Sequence, residues 1–300
     1  TICSGGDPDA FTETTPATGT GITYQWQYSL VGGGGPWTDV SGATSATYDA
    51  PGPINQNTYY RREVKASVNG YDCYDYSSFV VVFVNNVTAS VVAGDQTLCS
   101  TVDPAAFTVV TPATGTVAPT YQWQSSTTGC SGWSPIPGAT SATYDPPPTN
   151  AQTTYFQVVV TSTLNGESCS AASNCITVIS LSKSWNGSIS TNWNMPTNWS
   201  PAGIPDATNC VIIPNTTNKP IISGTNYNAF AYSLTVLNGG SLVVNSTNSL
   251  KVIDLVNVNN GGSLTFEDKS SLVQINNVAN SGNMTYKRET TIVTKFDYTY

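Results

Sequence analysis

The sequence predicts an all-β protein: two β-sandwiches in tandem, followed by a short parallel β-helix, a solenoid. Three observations carry that prediction. A unit of about 96 residues occurs twice, with Asp7-Pro8-Asp9-Ala10-Phe11 answered by Asp103-Pro104-Ala105-Ala106-Phe107. Short β-rich runs alternate with Gly, Pro, Asn and Thr clusters, and no convincing helical period interrupts them. The last third repeats itself at a shift of about 22 residues, with three short apolar runs in each repeat.

The first unit covers residues 1–86 and the second 87–181. Residues 15–20 recur unchanged at 111–116, Tyr24-Gln25-Trp26-Gln27 at 121–124, Trp37 at Trp133, and the octet 42–49 at 138–145. In Tyr24-Gln25-Trp26-Gln27-Tyr28 the aromatics fall on alternate positions. One face of a half-buried strand therefore takes Tyr24, Trp26 and Tyr28, with the tryptophan in the core. Residues 58–66 and 77–84 read as the two late strands. Tyr59 and Tyr60 resemble the tyrosine near the start of strand F in immunoglobulin-like domains, so each unit is expected to be an immunoglobulin-like sandwich. The run Val87-Thr88-Ala89-Ser90-Val91-Val92 before Cys99 reads as a first strand, whereas only Thr1 and Ile2 precede Cys3. The first unit is thus expected to lack its opening strand here, with more sequence upstream.

Seven cysteines punctuate this framework. Cys3 and Cys73 stand as far apart in the chain as Cys99 and Cys169. The repeat predicts Cys3–Cys73 and Cys99–Cys169, each bond closing a loop within its own unit and stabilising it by roughly 4 kcal/mol. Cys130 has no counterpart in the first unit, and Phe79 stands in the place of Cys175. These two could pair, although a sandwich would set them toward opposite ends. Cys210 is left over; a buried thiol is the better reading, with an intermolecular bond as the alternative. Such regular spacing favours disulfides and an oxidising compartment.

From residue 182 to 300 the composition changes. Three tryptophans open the region: Trp185, Trp193 and Trp199. Asn238-Gly239-Gly240-Ser241-Leu242 then returns as Asn260-Gly261-Gly262-Ser263-Leu264, and Ser249-Leu250 as Ser271-Leu272. Val236 matches Val258, Val244 matches Phe266, and Ile212 falls one such shift before Leu234. Three strands per repeat suit one coil of a β-helix, whose core is continuous only when coils stack. Asparagines at equivalent turns could form a hydrogen-bonded ladder. The tryptophans are expected to cap the open N-terminal end. The period fades after Ile275, and Phe296-Asp297-Tyr298-Thr299-Tyr300 reads as a strand with no turn after it, so the chain is expected to continue.

Composition narrows the chemistry. Charged residues are 9% of the chain, its net charge is -8, and histidine is absent. An acidic, charge-poor surface argues against nucleic acid. Without histidine there is no Ser-His-Asp or Cys-His catalysis. No apolar run approaches the ~18 residues of a membrane helix, so no membrane insertion is expected. Asp7, Asp9 and Asp103 could hold calcium, but Ala105 breaks the pair in the second unit and a turn is the better reading. Trp185, Trp193 and Trp199 could present a sugar-stacking platform; capping and core packing are the better reading. Asp254, Glu267 and Asp268 offer no recurring acid–base pair along the coils, so no catalytic residue, cofactor or metal is assigned. Arg61, Arg62 and Glu63 read as a surface strand face with local pairing.

Tyr-Gln-Trp-Gln, then Gly-Ala-Thr-Ser-x-x-Tyr, then Thr58-Tyr59-Tyr60-Arg61-Arg62 resemble the immunoglobulin-like repeats of very large surface adhesins of Bacteroidota, including the gliding-motility adhesins. Trp185-x-Gly-x-x-Ser-x-x-Trp193, Asn198-Trp199-Ser200-Pro201 and Lys287-Arg288-Glu289 resemble a further module of such proteins, one that often precedes a type IX secretion signal. The resemblance implies an extracellular, cell-surface location and no enzymatic activity. It implies partners among other domains of a long chain and among outer-membrane secretion or anchoring proteins. The expected function is a structural or adhesive segment, a disulfide-stiffened stalk making multivalent contacts. The alternatives are a carbohydrate-binding array, with surface polysaccharide as partner, and a subunit of a self-assembling filament whose first strand comes from a neighbour.

Overall fold

The structure, a computed structural model, describes residues 1–99, 103–148 and 152–289. It is all-β: two immunoglobulin-like sandwiches in tandem and then a parallel β-helix. The last-strand expectation at residues 296–300 lies outside the described residues.

In the first unit Ile22–Ser29 runs antiparallel to Thr58–Val68, whose other edge is shared by Tyr71–Tyr76 and Val80–Val82. Ile2–Cys3 lies parallel to Val84–Asn85. The second unit repeats this plan with Thr120–Ser126, Thr154–Leu164, Glu167–Ala172, Ile176–Ser180 and Gln96–Leu98. The Tyr71–Tyr76 strand was not anticipated. It turns back at Asn69-Gly70, where φ values of 50 and 82° suit the Asn-Gly hairpin pair. The expected first strand of unit two is broken into Val87–Thr88 and Val91–Ala93, which pair with Thr114–Gly115 and Thr108–Thr111.

The recurring motifs are the two halves of one core. Trp26 stacks on Tyr48 at 5.6 Å, and Trp123 on Tyr144 at 5.6 Å. Phe11 and Tyr60 complete the first cluster, Phe107 and Phe156 the second. Each indole N–H donates to a carbonyl in the octet, Ser45 in one unit and Ser141 in the other, both at 3.0 Å. Gln25 and Gln122 clamp the same loop through the carbonyls of Val40 and Ile136. The tetrapeptide and the octet recur together because each supplies what the other lacks.

In the third module three sheets form the faces of the solenoid, parallel throughout except where Trp199–Ser200 joins Ser182–Trp185 antiparallel at the cap. Leu242 stacks under Leu264, Leu250 under Leu272, Val236 under Val258 and Val244 under Phe266. In the first coil the register is Val211↔Leu234 and Ile212↔Thr235, one position away from the expected match. The alternation explains it: Val211 and Ile213 are buried while Ile212 is not, and a slip by one position would reverse the faces. No asparagine ladder joins the corner at Asn248. Its amide donates back to Asn245 and Ser246, and the next coil has Ser270 there, closing on Glu267. Thr285–Tyr286 extends one face beside Thr265 and Phe266, at a spacing slightly shorter than that of the coils before it.

Candidate functional site: two covalent joints

The cysteines join modules to one another. Cys3 bonds to Cys169 and Cys99 bonds to Cys210, each with Cα atoms 5.6 Å apart. Around the first bond, Asn85 is fully buried. Its amide donates to the carbonyls of Ser162 at 2.8 Å and Glu167 at 3.0 Å, and its oxygen accepts the Ser162 hydroxyl at 2.8 Å. Asn165 donates to Thr1, and the Asn86 N–H to Thr116. At the second joint the last sandwich strand, Ile176–Ser180, leads directly into Ser182–Trp185, which pairs in parallel with Cys210–Ile213 of the solenoid. The Cys210 N–H donates to Leu181, next to the bond to Cys99.

This overturns the pairings Cys3–Cys73 and Cys99–Cys169 and the reading of Cys210 as a buried thiol. The reason is strand geometry. Cys3 sits opposite Asn85, at the end of the sheet where Thr58 meets Val82. Cys73 sits opposite Ala66. The extended strand from Thr58 to Ala66 spans roughly 26 Å at about 3.3 Å per residue. A disulfide tolerates a Cα separation of about 7 Å at most. Cys73 is therefore a free, exposed thiol. Cys130 and Cys175 do pair, with Cα atoms 5.9 Å apart. They are not at opposite ends, because Ser125 and Ile176 flank Phe156 on its two sides. In the first unit the Phe79 ring fills that place, so close that a Cβ on Gly33 would lie 2.3 Å from it.

A sequence signal for the joints existed. Cys99 is the repeat-mate of Cys3, and Cys210 belongs to the module that follows it. Shifting both pairings one module onward accounts for every cysteine except Cys73 and the Cys130–Cys175 pair.

The tryptophans lie inside the solenoid. Trp185, Trp193 and Trp199 are at most 2% exposed and pack edge-to-face, with centroids 5.0 and 4.7 Å apart. They share one core with Val211, Leu234 and Leu242. Asn198, also buried, holds the cap loop with both ends of its amide, accepting from Ile189 and Ser190 and donating to Ser190 and Asn192. These rings present no platform for a glycan. On the first unit the Arg61 guanidinium sits 4.5 Å from the half-buried Trp37 ring and 3.9 Å from the exposed Tyr76 ring. A hydrogen bond to Glu63 holds the Tyr76 phenol above its ordinary pKa.

Arg62 corrects the surface reading of its strand: it is buried and pairs at 2.6 Å with Glu13, not Glu63. Asp7 accepts the N–H of Gly52, 45 residues along the chain. Among the described residues the one grouping with metal-type ligands is Cys3, Glu167 and Cys169, and its two sulfurs are already bonded to each other. Glu267 pairs with Lys287, and Asp254 accepts from Asn276.

Comparison with known families places the chain. A model described as a domain of unknown function, DUF8696, matches residues 1–86 and again 88–183. The chain belongs to that family. A second domain of unknown function, DUF8693, matches residues 184–300. No curated protein matches the chain. No helix among the described residues is long and apolar enough to cross a membrane.

Proposed function

We propose that this chain is a structural or adhesive segment of a large secreted cell-surface protein, of the kind its repeats resemble in Bacteroidota. Its task is to extend and present. The observation that carries the reading is that a disulfide bridges each of the two module junctions. A protein that must hold its domains in line benefits from cross-links placed between them, and such bonds persist where the environment is oxidising. The buried tryptophans support a stalk over a sugar-binding solenoid. Repetition of such units gives many weak contacts a high effective concentration.

Antibody labelling of intact source cells tests the location: surface staining is expected, and staining only after permeabilisation would sink the reading. Small-angle scattering tests the stiffening. With Cys3, Cys169, Cys99 and Cys210 all changed to Ser, the distribution of end-to-end distances should broaden; an unchanged curve would remove the disulfides' role. A second reading, carbohydrate binding, is supported by Trp37, Arg61 and Tyr76 on the first unit. Glycan binding lost in both Trp37→Ala and Tyr76→Ala would favour it.

A further inference from the structure

The two sandwiches carry the same receiving face, and it is filled in one of them. In the second unit this face is built from Thr114–Gly115 and the hairpin of Thr154–Leu164 with Glu167–Ala172. The end of the first unit occupies it. Cys3 bonds to Cys169, the Asn85 amide donates to the carbonyls of Ser162 and Glu167, and the Asn86 N–H donates to the Thr116 hydroxyl. Val160 and Ser162 are fully buried there, and Cys169 is 3% exposed.

The first unit repeats the turns and the cysteine of this framework. Thr18-Gly19-Thr20 stands for Thr114-Gly115-Thr116, Asn69-Gly70 for Asn165-Gly166, and Cys73 for Cys169. The Asn-Gly turns have the same left-handed conformation in both units. Here the face is open. Val64 and Ala66 are only partly buried, and every residue of Tyr71–Tyr76 is exposed, Tyr71 at 80%. A cleft of about 470 Å³ runs between residues 15–18 and the hairpin, with Ala66 and Cys73 in its wall. The carbonyls that would receive an Asn85-like amide belong to Ala66 and Tyr71, and both substitutions leave the backbone acceptor in place.

We propose that Cys73 and this cleft receive the cysteine-bearing end of another unit of the same repeat, one that precedes the first unit in chain order, and that a disulfide seals the joint. The occupant is fixed by the pairing rule of the two observed joints, in which the early cysteine of one unit bonds to the module after it. A second copy of this chain does not fit, because its Cys3 and Cys99 are already engaged and it offers only another Cys73. The bond forms by thiol–disulfide exchange. The Cys73 thiolate attacks a small-molecule disulfide and releases one thiol. The early cysteine's thiolate then attacks the mixed disulfide and releases the second. Two protein thiols are oxidised, the oxidant is reduced to two thiols, and the two protons pass to them. The inference stands whether or not the surface adheres, because it concerns the joint alone.

The test is to place a copy of residues 1–96 directly ahead of Thr1 in the full chain, restoring the repeat period, and to refold in a glutathione redox buffer. Non-reducing peptide mapping should find the added unit's Cys3 bonded to the original Cys73. One titratable thiol should remain, on the added unit. Cys73→Ser in the same chain should leave the added Cys3 titratable. Three titratable thiols in the extended protein, with the original pairs intact, would overturn the proposal. Should the extended chain not fold, the protein from its source, alkylated at lysis, gives the second readout. Cys73 linked to a cysteine of a further repeat unit supports the proposal; alkylated Cys73, or Cys73 linked to Cys73, overturns it.

Discussion

Arg62 and Glu13 form an ion pair in the first sandwich where the second has Val158 and Val109. The two units thus carry alternative solutions for one site. Breaking a buried pair leaves an uncompensated charge, whereas an apolar pair of similar bulk is often neutral or better. Glu13→Val alone should cost about 3 kcal/mol in denaturant unfolding of the first unit, because Arg62 keeps its charge and loses its partner. Glu13→Val with Arg62→Val should recover most of that loss. Equal stability of the single and double variants would refute the account. The sequence announced Trp26, Tyr48 and the octet through exact recurrence. It could not announce Arg62, whose partner lies far away along the chain and is absent from the other unit.

At the scale of elements, the solenoid was legible because stacking imposes a period on the sequence. Its first coil was misread by one position because Ile212 is apolar yet sits between the buried Val211 and Ile213. The cap was legible as a cluster of tryptophans, and its packing makes it a structural element. Trp199→Ala should destabilise the solenoid by about 3–5 kcal/mol, the usual cost of emptying an aromatic core site, and should leave both sandwiches intact. Unfolding followed separately by fluorescence and by protease resistance of each module reads this; loss of glycan binding without loss of stability would contradict it. The turn before Cys210 is expected to loosen in acid. Asp206 accepts both the N–H and the hydroxyl of Thr208, at 2.8 and 2.6 Å, which hold its carboxyl below the ordinary value. A depressed folded pKa gives stability that is complete above the unfolded carboxylate range and is lost as pH falls through the folded value. Asp206→Asn should therefore flatten this part of the acid-unfolding profile, read as hydrogen exchange at the Thr208 amide from neutral pH down to about pH 3. An unchanged profile would exclude Asp206 as its source.

At the scale of the whole molecule, the fold class followed from the two periods, but the pairing of the cysteines did not. Equal spacings suggested closure within each unit, and only the position of each cysteine along its strand decides otherwise. The two joint disulfides overlap along the chain, Cys3–Cys169 and Cys99–Cys210. That overlap fixes how far the protein lengthens under load. The shortest covalent route from Cys3 to Cys210 crosses to Cys169 and then follows only the backbone between Cys169 and Cys210, in place of the whole chain between the two ends. At roughly 3.5 Å per residue the oxidised segment yields at most about 140 Å, and the reduced one about 720 Å. Pulling single molecules from Cys3 to Cys210 with and without reductant should give these two contour lengths; equal lengths would show that the bonds lie off the tensile path. A tether of this kind is an inextensible strap whose slack is released only by a reducing agent.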